Sequence, residues 1–225
     1  GLNDFTIFET EDNQTGHCAI FITPDGERTM NTYLGAGAFL SVEDLDEEAI
    51  KSAEILYMEG YLWDRPTSKE AFLYAAKLNK SSGGKNAITL SDVFCVEMHR
   101  DSFIEFIKES IDFVFCNEEE IMSLTMKETI DEAINSFTNQ FPNIEELVCT
   151  LGPRGALVIS NGKKSHYDAT EAEVVDKTGA GDYFAAGYLY GLQKKLSIEE
   201  SADIANRSAA YVISEVGVRP KNKFD

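Results

Sequence analysis

The chain has 225 residues, of which 43% are apolar and 26% are charged. That length suits one large α/β domain or a domain with an appendage, either with a real core, and that composition is too apolar for a disordered protein. The 20 Lys and Arg residues stand against 39 Asp and Glu residues, which gives a formal net charge of −19. So acidic a surface repels phosphate backbones and anionic lipids, and we therefore expect neither nucleic acid nor membrane among the partners.

The sequence also predicts a soluble protein of the reducing cytoplasm. No apolar run approaches the roughly 20 residues that span a bilayer, and residues 1–4 lack the basic and apolar segments of a signal peptide. The four cysteines lie far apart without a CxxC pair and the three histidines are scattered, so neither a zinc site nor a disulfide framework is predicted. Cys116 and Cys149 sit in apolar runs and are expected to be small core residues.

In chain order, the first predicted element is a hairpin. A β-rich run on each side of the turn Pro24-Asp25-Gly26 predicts two strands within about 17–35. Strand-length runs then alternate with helical patterns, which is typical of βαβ crossovers and predicts a mostly parallel sheet covered by helices. These runs are Ile55–Met58, Ala87–Leu90, Phe113–Cys116 and Leu147–Thr150.

Helices are predicted between and after these strands. Apolar residues at three- and four-residue spacing predict a helix within 128–141 whose apolar stripe faces the core. The last predicted helix, about 197–214, has small residues along one side, which allows a neighbouring element to approach closely. Side chains that can cap exposed first-turn amides occur at Ser41 with Asp44, at Thr67 with Glu70 after Pro66, and at Ser197 with Glu200.

The strongest chemical signal is the run Gly179-Ala180-Gly181-Asp182. Two glycines one residue apart let the backbone approach a ligand, and a helix that begins near Gly181 points unpaired N–H groups at it. An anion fits such a place, and the Asp182 carboxylate beside it can accept a proton from a hydroxyl group. The alternative interpretation is that Asp182 is only the N-terminal cap of the helix.

Two other segments place polar groups after predicted strands. Asn117-Glu118-Glu119-Glu120 follows a strand at the end where ligands collect in open α/β sheets, although alone it also fits a solvated acidic helix start. Residues 147–158 form a strand, a turn bracketed by Gly152 and Gly155, and a second strand, which alone also fits a simple hairpin. No GxxxxGK[ST] loop is present, and Phe184 stands where a dinucleotide fingerprint needs its third glycine, which disfavours an NAD-dependent oxidoreductase.

These motifs, in this order between Asn117 and Asn206, resemble the C-terminal part of the ribokinase-like (PfkB) family of carbohydrate and nucleoside kinases. The resemblance implies a ribokinase-like α/β fold, in which a mostly parallel sheet is sandwiched by helices, with part of a small β lid at about 17–35. Residues 1–225 are then a single domain without the family's N-terminal third, which normally supplies the first strands and a sugar-binding motif. The sequence leaves open whether the chain is a fragment of a longer protein.

The resemblance also implies roles for individual residues. Asp182 becomes the catalytic base, and Gly179, Ala180 and Gly181 become the anion hole for the transferred phosphoryl group. Glu120 is implied for magnesium, while Asp176 and Thr178 match positions that bind a monovalent cation, such as potassium, in many members. The residues implied for ATP are Asn117, Thr150, Gly152, Gly155 and Asn206.

Upstream segments within 21–35, 56–64 and 90–95 look like bacterial adenosine-kinase-like members of the family. That similarity implies that Arg28 reaches the phosphates and that Glu59 lines the acceptor site. Without it, Arg28 reads as a surface residue beside a turn and Glu59 as the end of a strand. Lys177 departs from the family pattern, in which a small hydroxylated residue is commonest at this position.

The resemblance implies an enzyme that uses magnesium and ATP to phosphorylate a hydroxymethyl group of a nucleoside, with adenosine favoured, or of a sugar. The alternative is a catalytically silent regulator of the same fold that binds a nucleotide or nucleoside. Asp182 favours the enzyme, because a binding module needs no base. The exact acceptor, the dependence on a monovalent cation, and the choice between monomer and homodimer stay open.

Overall fold

The structure, a computed structural model, describes residues 13–221 and residue 224. This part of the chain divides into two compact units. The first comprises 13–18 and 32–114, and the second comprises 19–31 and the described residues from 115 onward. In the described ranges no helix is both long enough and apolar enough to cross a membrane.

The hairpin expected over 17–35 is present. Strands β1 (His17–Ile22) and β2 (Arg28–Tyr33) form a two-stranded sheet. In the turn between them, the Thr23 N–H donates to the Glu27 carbonyl and the Gly26 N–H donates to the Thr23 carbonyl, both at 2.9 Å. Gly26 adopts a φ of 77°, which a glycine reaches without a Cβ penalty.

The first unit contains a parallel pair of strands with helices before, between and after them. The pair is in register from Ile55 opposite Lys85 to Glu59 opposite Thr89. Its core gathers around Trp63, which is 2% exposed and stacks on Phe103. The elements are α1 (Glu47–Ser52), β3 (Ile55–Glu59), α2 (Pro66–Ser81), β4 (Lys85–Thr89) and α3 (Val93–Ser110).

The second unit continues the strand and helix alternation and then turns antiparallel. Here β6 pairs antiparallel with β7, and β7 pairs antiparallel with β8. The elements are β5 (Phe113–Asn117), whose first two residues fall in the first unit, α4 (Glu118–Thr125), α5 (Ile130–Gln140), β6 (Glu146–Thr150), β7 (Ala156–Ser160), β8 (Lys163–Tyr167), α6 (Ala180–Gln193) and α7 (Ile198–Ile213).

The strand order is β3-β4-β5-β6-β7-β8 in a six-stranded, mostly parallel sheet flanked by helices. This confirms the predicted α/β class. Each of the four strands predicted from apolar runs is present with its ends within two residues of the prediction. Cys116 and Cys149 are buried on β5 and β6 and are free thiols, as expected of small core residues.

Two of the three predicted side-chain caps are present and one is not. Those at Ser41 and Ser197 are present, although Ser41 caps a short 3-10 turn over Val42–Asp44 and not an α-helix. The box at Thr67 is wrong, because Pro66 is the first residue of α2 and Arg65 is its N-cap. Proline suits the first helical position, where its missing N–H has no partner to lose.

Helices α6 and α7 pack closely because glycines on one face meet small residues on the other. A Cβ at Gly187 would lie 2.9 Å from the Ala205 Cα, and one at Gly191 would lie 2.8 Å from the Ser201 Cα. Both distances are too short for real carbon atoms, so the glycines set the separation of the helices. The small residues predicted along the last helix therefore do face a neighbouring element.

Candidate active site

The second unit contains a cavity of about 1110 Å³ beside the carboxyl ends of β5 and β6 and the start of α6. Eight residues predicted from sequence line it: Arg28, Asn117, Thr150, Gly152, Gly155, Ala180, Gly181 and Asn206. Five more stand within three residues of a lining residue along the chain: Glu120, Asp176, Thr178, Gly179 and Asp182. Glu59 is exposed at the end of β3 in the first unit. Segments far apart in sequence are thus brought to one place.

At the end of β5, Asn117 and Glu120 hold each other. The Asn117 side-chain oxygen accepts from the Glu120 N–H at 2.8 Å, and one Glu120 carboxylate oxygen accepts from the Asn117 N–H at 3.0 Å. The other carboxylate oxygen accepts from the Asn117 amide nitrogen at 2.7 Å. Glu120 is 5% exposed. The solvated acidic helix start is therefore wrong for Glu120, which is buried and fixes the orientation of the Asn117 amide.

The turn after β6 forms a second part of the wall. The Thr150 hydroxyl donates to the Cys116 carbonyl at 3.4 Å, which joins the ends of β6 and β5. Gly152 has a φ of 59°, and a Cβ there would meet nothing within 4 Å, so its surface lies open for a ligand. Gly155 has a φ of 87°, and a Cβ there would collide with the Tyr167 carbonyl oxygen. Only glycine fits the second position.

The start of α6 brings backbone N–H groups to the cavity, and of these the Ala180 N–H already donates to the Lys177 carbonyl at 3.3 Å. Its N-cap is Gly179, which has a left-handed φ of 81° and no side-chain cap, and its first residue is Ala180. The first N–H groups of a helix have no acceptor inside it, and they carry the positive end of the helix dipole. A Cβ at Gly181 would meet nothing within 4 Å. The backbone there faces open space, as close approach by an anion requires.

Asp182 lies in the first turn of α6 as its third residue. The interpretation of Asp182 as the N-cap is therefore wrong, because Gly179 holds that position. Although the residue is exposed, partial desolvation raises the pKa of its carboxyl group, and the positive charge of Arg28 opposes this effect. A carboxylate with a raised pKa binds a proton more readily, which suits a general base.

Asp176 is almost fully buried, with 1% of its surface exposed. One carboxylate oxygen accepts from the Thr178 N–H at 2.9 Å and from the Thr178 hydroxyl at 2.6 Å, and the other accepts from the Gly217 N–H at 2.8 Å. Burial alone would raise the pKa of Asp176, but these hydrogen bonds and the charge of Arg28 leave it lowered. The carboxylate is thus ionised and fixes the segment that leads to α6.

Asn206, on α7, is the lining residue that most directly calls for a ligand. It is 6% exposed, and its side-chain nitrogen is buried without a hydrogen-bond partner in the described part of the chain. A buried unpaired donor costs about 1–3 kcal/mol. An acceptor on a bound molecule would remove that cost, so the residues present fit a ligand with hydrogen-bond acceptors.

Part of the wall was not foreseen from the sequence. The irregular segment 169–174, between β8 and α6, lines the cavity together with Asp25 and Lys177. This segment contains no motif, and the signal that could have found it is its place directly before the glycine-rich run. The sequence marks Lys177 only as a departure from a family pattern and does not predict its place in the cavity.

Together, the fold and the cavity define an α/β protein in which a glycine-rich helix start, with a carboxylate beside it, faces a cavity. Residues 3–224 match the family model described as pfkB family carbohydrate kinase. The chain therefore belongs to the pfkB family of carbohydrate kinases, as the resemblance implied.

Known proteins agree with this assignment. The adenosine kinase of Saccharomyces cerevisiae is 28% identical over 215 residues, which cover 90% of this chain and 62% of that protein. The crystal structure of adenosine kinase from Sinorhizobium meliloti matches with a TM-score of 0.88 and 38% identity, over 92% of this chain and 63% of that one. A probable sugar kinase from Rhizobium etli gives the same values. The chain thus spans less than two thirds of the length of these relatives.

Proposed function

We propose that the protein of which this chain is a part transfers the γ-phosphoryl group of ATP, with magnesium, to a hydroxymethyl group of a small molecule. A nucleoside, adenosine first, is the favoured acceptor, and a sugar is the next. The observation that carries this proposal is the cavity itself, where the start of α6, with open space beside Gly181, lies next to Asp182 and shares a wall with the unpaired donor of Asn206. The similarity of the chain to adenosine kinases and to a sugar kinase supports both acceptor classes.

Each part of the site has a role in the proposed reaction. Asp182 takes the proton of the acceptor hydroxyl, and the amides of Gly179, Ala180 and Gly181 stabilise the negative charge that spreads over the transferred group. Arg28 lines the same cavity, and its positive charge partly offsets the rise that desolvation causes in the pKa of Asp182, so the Arg28 charge acts at the proposed base. Glu59, at the end of β3, remains the proposed contact for the acceptor.

ATP would bind the wall made by Asn117, Thr150, Gly152, Gly155 and Asn206. A bound magnesium ion would supply positive charge that neutralises the phosphates, and such an ion is usually coordinated by only one or two protein carboxylates. Glu120 is the proposed carboxylate, since it also fixes Asn117 in the cavity wall. Asp176 is ionised and beside Thr178, and these two are proposed for a monovalent cation such as potassium.

The test is an assay of ADP release by the complete protein, with magnesium and a panel of nucleosides and sugars. We expect release that depends on a hydroxymethyl acceptor, with adenosine fastest. Release with a sugar alone would correct the acceptor and keep the kinase. Binding of ATP without release for any acceptor would reject the proposal in favour of a catalytically silent binding protein.

A further inference from the structure

Lys177 joins two segments that lie far apart in the sequence. Its side-chain nitrogen donates to a carboxylate oxygen of Glu27, in the turn of the hairpin. The Lys177 N–H also donates to the Gly26 carbonyl at 3.4 Å. A Cβ at Gly26 would lie 2.9 Å from a methyl carbon of Val174, so the turn rests directly on the segment before α6.

Lys177 also belongs to the wall of the cavity. Its carbonyl accepts from the Ala180 N–H at 3.3 Å, which fixes its backbone directly before the start of α6. The charged residues that line the cavity are the cations Arg28 and Lys177 and the carboxylates Asp25, Glu171 and Glu173. Lys177 thus lies between the Glu27 carboxylate, which its ammonium group contacts, and the cavity in which the phosphates are proposed to bind.

We propose that Lys177 is a second phosphate-binding cation of this cavity and that Glu27 competes with the nucleotide for it. This inference rests on the proposed function. In the structure Lys177 is 40% exposed and Glu27 is 60% exposed, and ion pairs so open to water are weak. A triphosphate carries several negative charges and a carboxylate carries one, so the triphosphate attracts the ammonium group more strongly.

The exchange needs only the side chain to move. The Lys177 N–H is held by the Gly26 carbonyl, and the Lys177 carbonyl is held by the Ala180 N–H as long as no phosphoryl group takes that donor. A lysine side chain has a flexible four-carbon stem, so its charged end can turn from Glu27 toward the cavity while the backbone stays in place. Glu27 therefore lowers the affinity for phosphates, and the weak ion pair decides by how much.

The test compares Lys177→Met, Glu27→Gln and the double variant in the complete protein, by calorimetric titration with magnesium and ATP and separately with adenosine. Lys177→Met is expected to weaken ATP binding by about three- to tenfold. Glu27→Gln is expected to tighten it by about two- to fivefold, because no carboxylate then competes. In the Lys177→Met background Glu27→Gln should have little effect. Adenosine has no phosphates, so its affinity should not change.

Lys164→Met is the matched control, since Lys164 pairs with Asp131 and does not line the cavity. It removes the same charge and should leave ATP affinity within about twofold of the wild type. If Lys177→Met and Glu27→Gln weaken ATP binding in the same direction, the pair only fastens the hairpin and the inference is wrong. Unchanged ATP binding in Lys177→Met also overturns it, while the proposed function stands. If the wild type binds no ATP, both fail.

Discussion

Two side chains at the cavity can be tested one at a time, and Asp182 is the first. Asp182→Asn is expected to lower turnover by about 10²- to 10⁴-fold, the usual contribution of a positioned base. The free energy of unfolding should change by less than about 1 kcal/mol, because Gly179 and not Asp182 is the N-cap of α6. The measurements are a steady-state rate, an ATP titration and a thermal melt.

Asp131→Asn is a suitable control for this variant. Asp131 is exposed on α5 and pairs with Lys164, outside the cavity. Asp131→Asn also removes one carboxylate, but from outside the cavity, so turnover should remain near that of the wild type. Near-normal turnover in Asp182→Asn would remove Asp182 from the chemistry. A large drop in melting temperature would show instead that its carboxylate supports the fold.

Asn206 allows a comparison between a donor that waits for a ligand and one that is used inside the protein. Asn206→Leu keeps the branched shape and removes the unpaired donor, so the free energy of unfolding of the ligand-free protein should rise, or fall by no more than about 1 kcal/mol. The loss of a hydrogen bond to the nucleotide should weaken ATP binding by roughly tenfold. Chemical denaturation and an ATP titration measure the two effects.

Asn79→Leu provides the contrast. The side-chain nitrogen of Asn79 is buried and donates to the Ile50 and Ala53 carbonyls at 2.9 and 2.8 Å. Its removal leaves two carbonyls without their donor and should cost about 2–3 kcal/mol of stability. If Asn206→Leu loses as much stability as Asn79→Leu and binds ATP normally, then Asn206 has a purely structural role.

At the scale of elements, a buried pair joins the first residue of β6 to the middle of α6. The Tyr188 hydroxyl donates to a carboxylate oxygen of Glu146 at 2.7 Å. Burial raises the pKa of Glu146, the hydrogen bond from Tyr188 lowers it, and the charge of Glu145 raises it further. The net shift is upward, so the folded protein holds this proton more tightly than the unfolded chain does.

A group of this kind stabilises the fold below its unfolded pKa, and the stabilisation is lost as the pH rises through the folded pKa. Glu146→Gln keeps an acceptor for Tyr188 and cannot ionise. Its melting temperature should therefore exceed that of the wild type at about pH 8, and the difference should shrink toward about pH 4. Melts across this range decide the matter. Glu145→Gln, at an exposed neighbour, should change the curve far less, and a wild type that gains stability over Glu146→Gln as pH rises would contradict the prediction.

The sequence could predict those helices and strands that are determined by consecutive residues, and it failed where the outcome depends on residues farther away. The strands at Ile55 and Phe113 were predicted because a buried strand needs an apolar run, and that need is written in consecutive residues. The capping box at Thr67 failed because Pro66 and Thr67 both offer a helix start and only one can begin the helix. Such competition is settled by the packing of the whole helix.

The candidate site likewise contains parts that the sequence could predict and parts that it could not. Glycine-rich runs, such as the one at Gly181, could be recognised because backbone approach to a ligand demands a missing side chain. The wall at 169–174 could not, since any irregular segment of suitable length can cover a cavity. The contact of Lys177 with Glu27 spans most of the chain and follows from tertiary structure alone. Pair interactions of that kind leave no periodic trace in a sequence.

At the scale of the whole molecule, the net charge and the charges inside the cavity act differently on a nucleotide. A chain with a net charge of −19 repels a free triphosphate over long distances. Within the cavity, the carboxylates Asp25, Glu171 and Glu173 outnumber the cations Arg28 and Lys177, so positive potential is confined to the two cations and to the start of α6 with its dipole. A nucleotide whose charge is partly neutralised by magnesium is the form that such a molecule repels least.

The close packing of α6 on α7 means that a small change at this contact tilts α6 and moves its first residues. Gly187 lies seven residues beyond Ala180, or about 10 Å along the helix. A side chain there would collide with Ala205 and push α6 away from α7. A tilt of about 5° over that length moves the first amides by nearly 1 Å, a shift that can reduce a rate about a hundredfold. Inactivating substitutions are therefore to be sought along this helix contact, in proteins that remain folded and whose cavity residues are all intact.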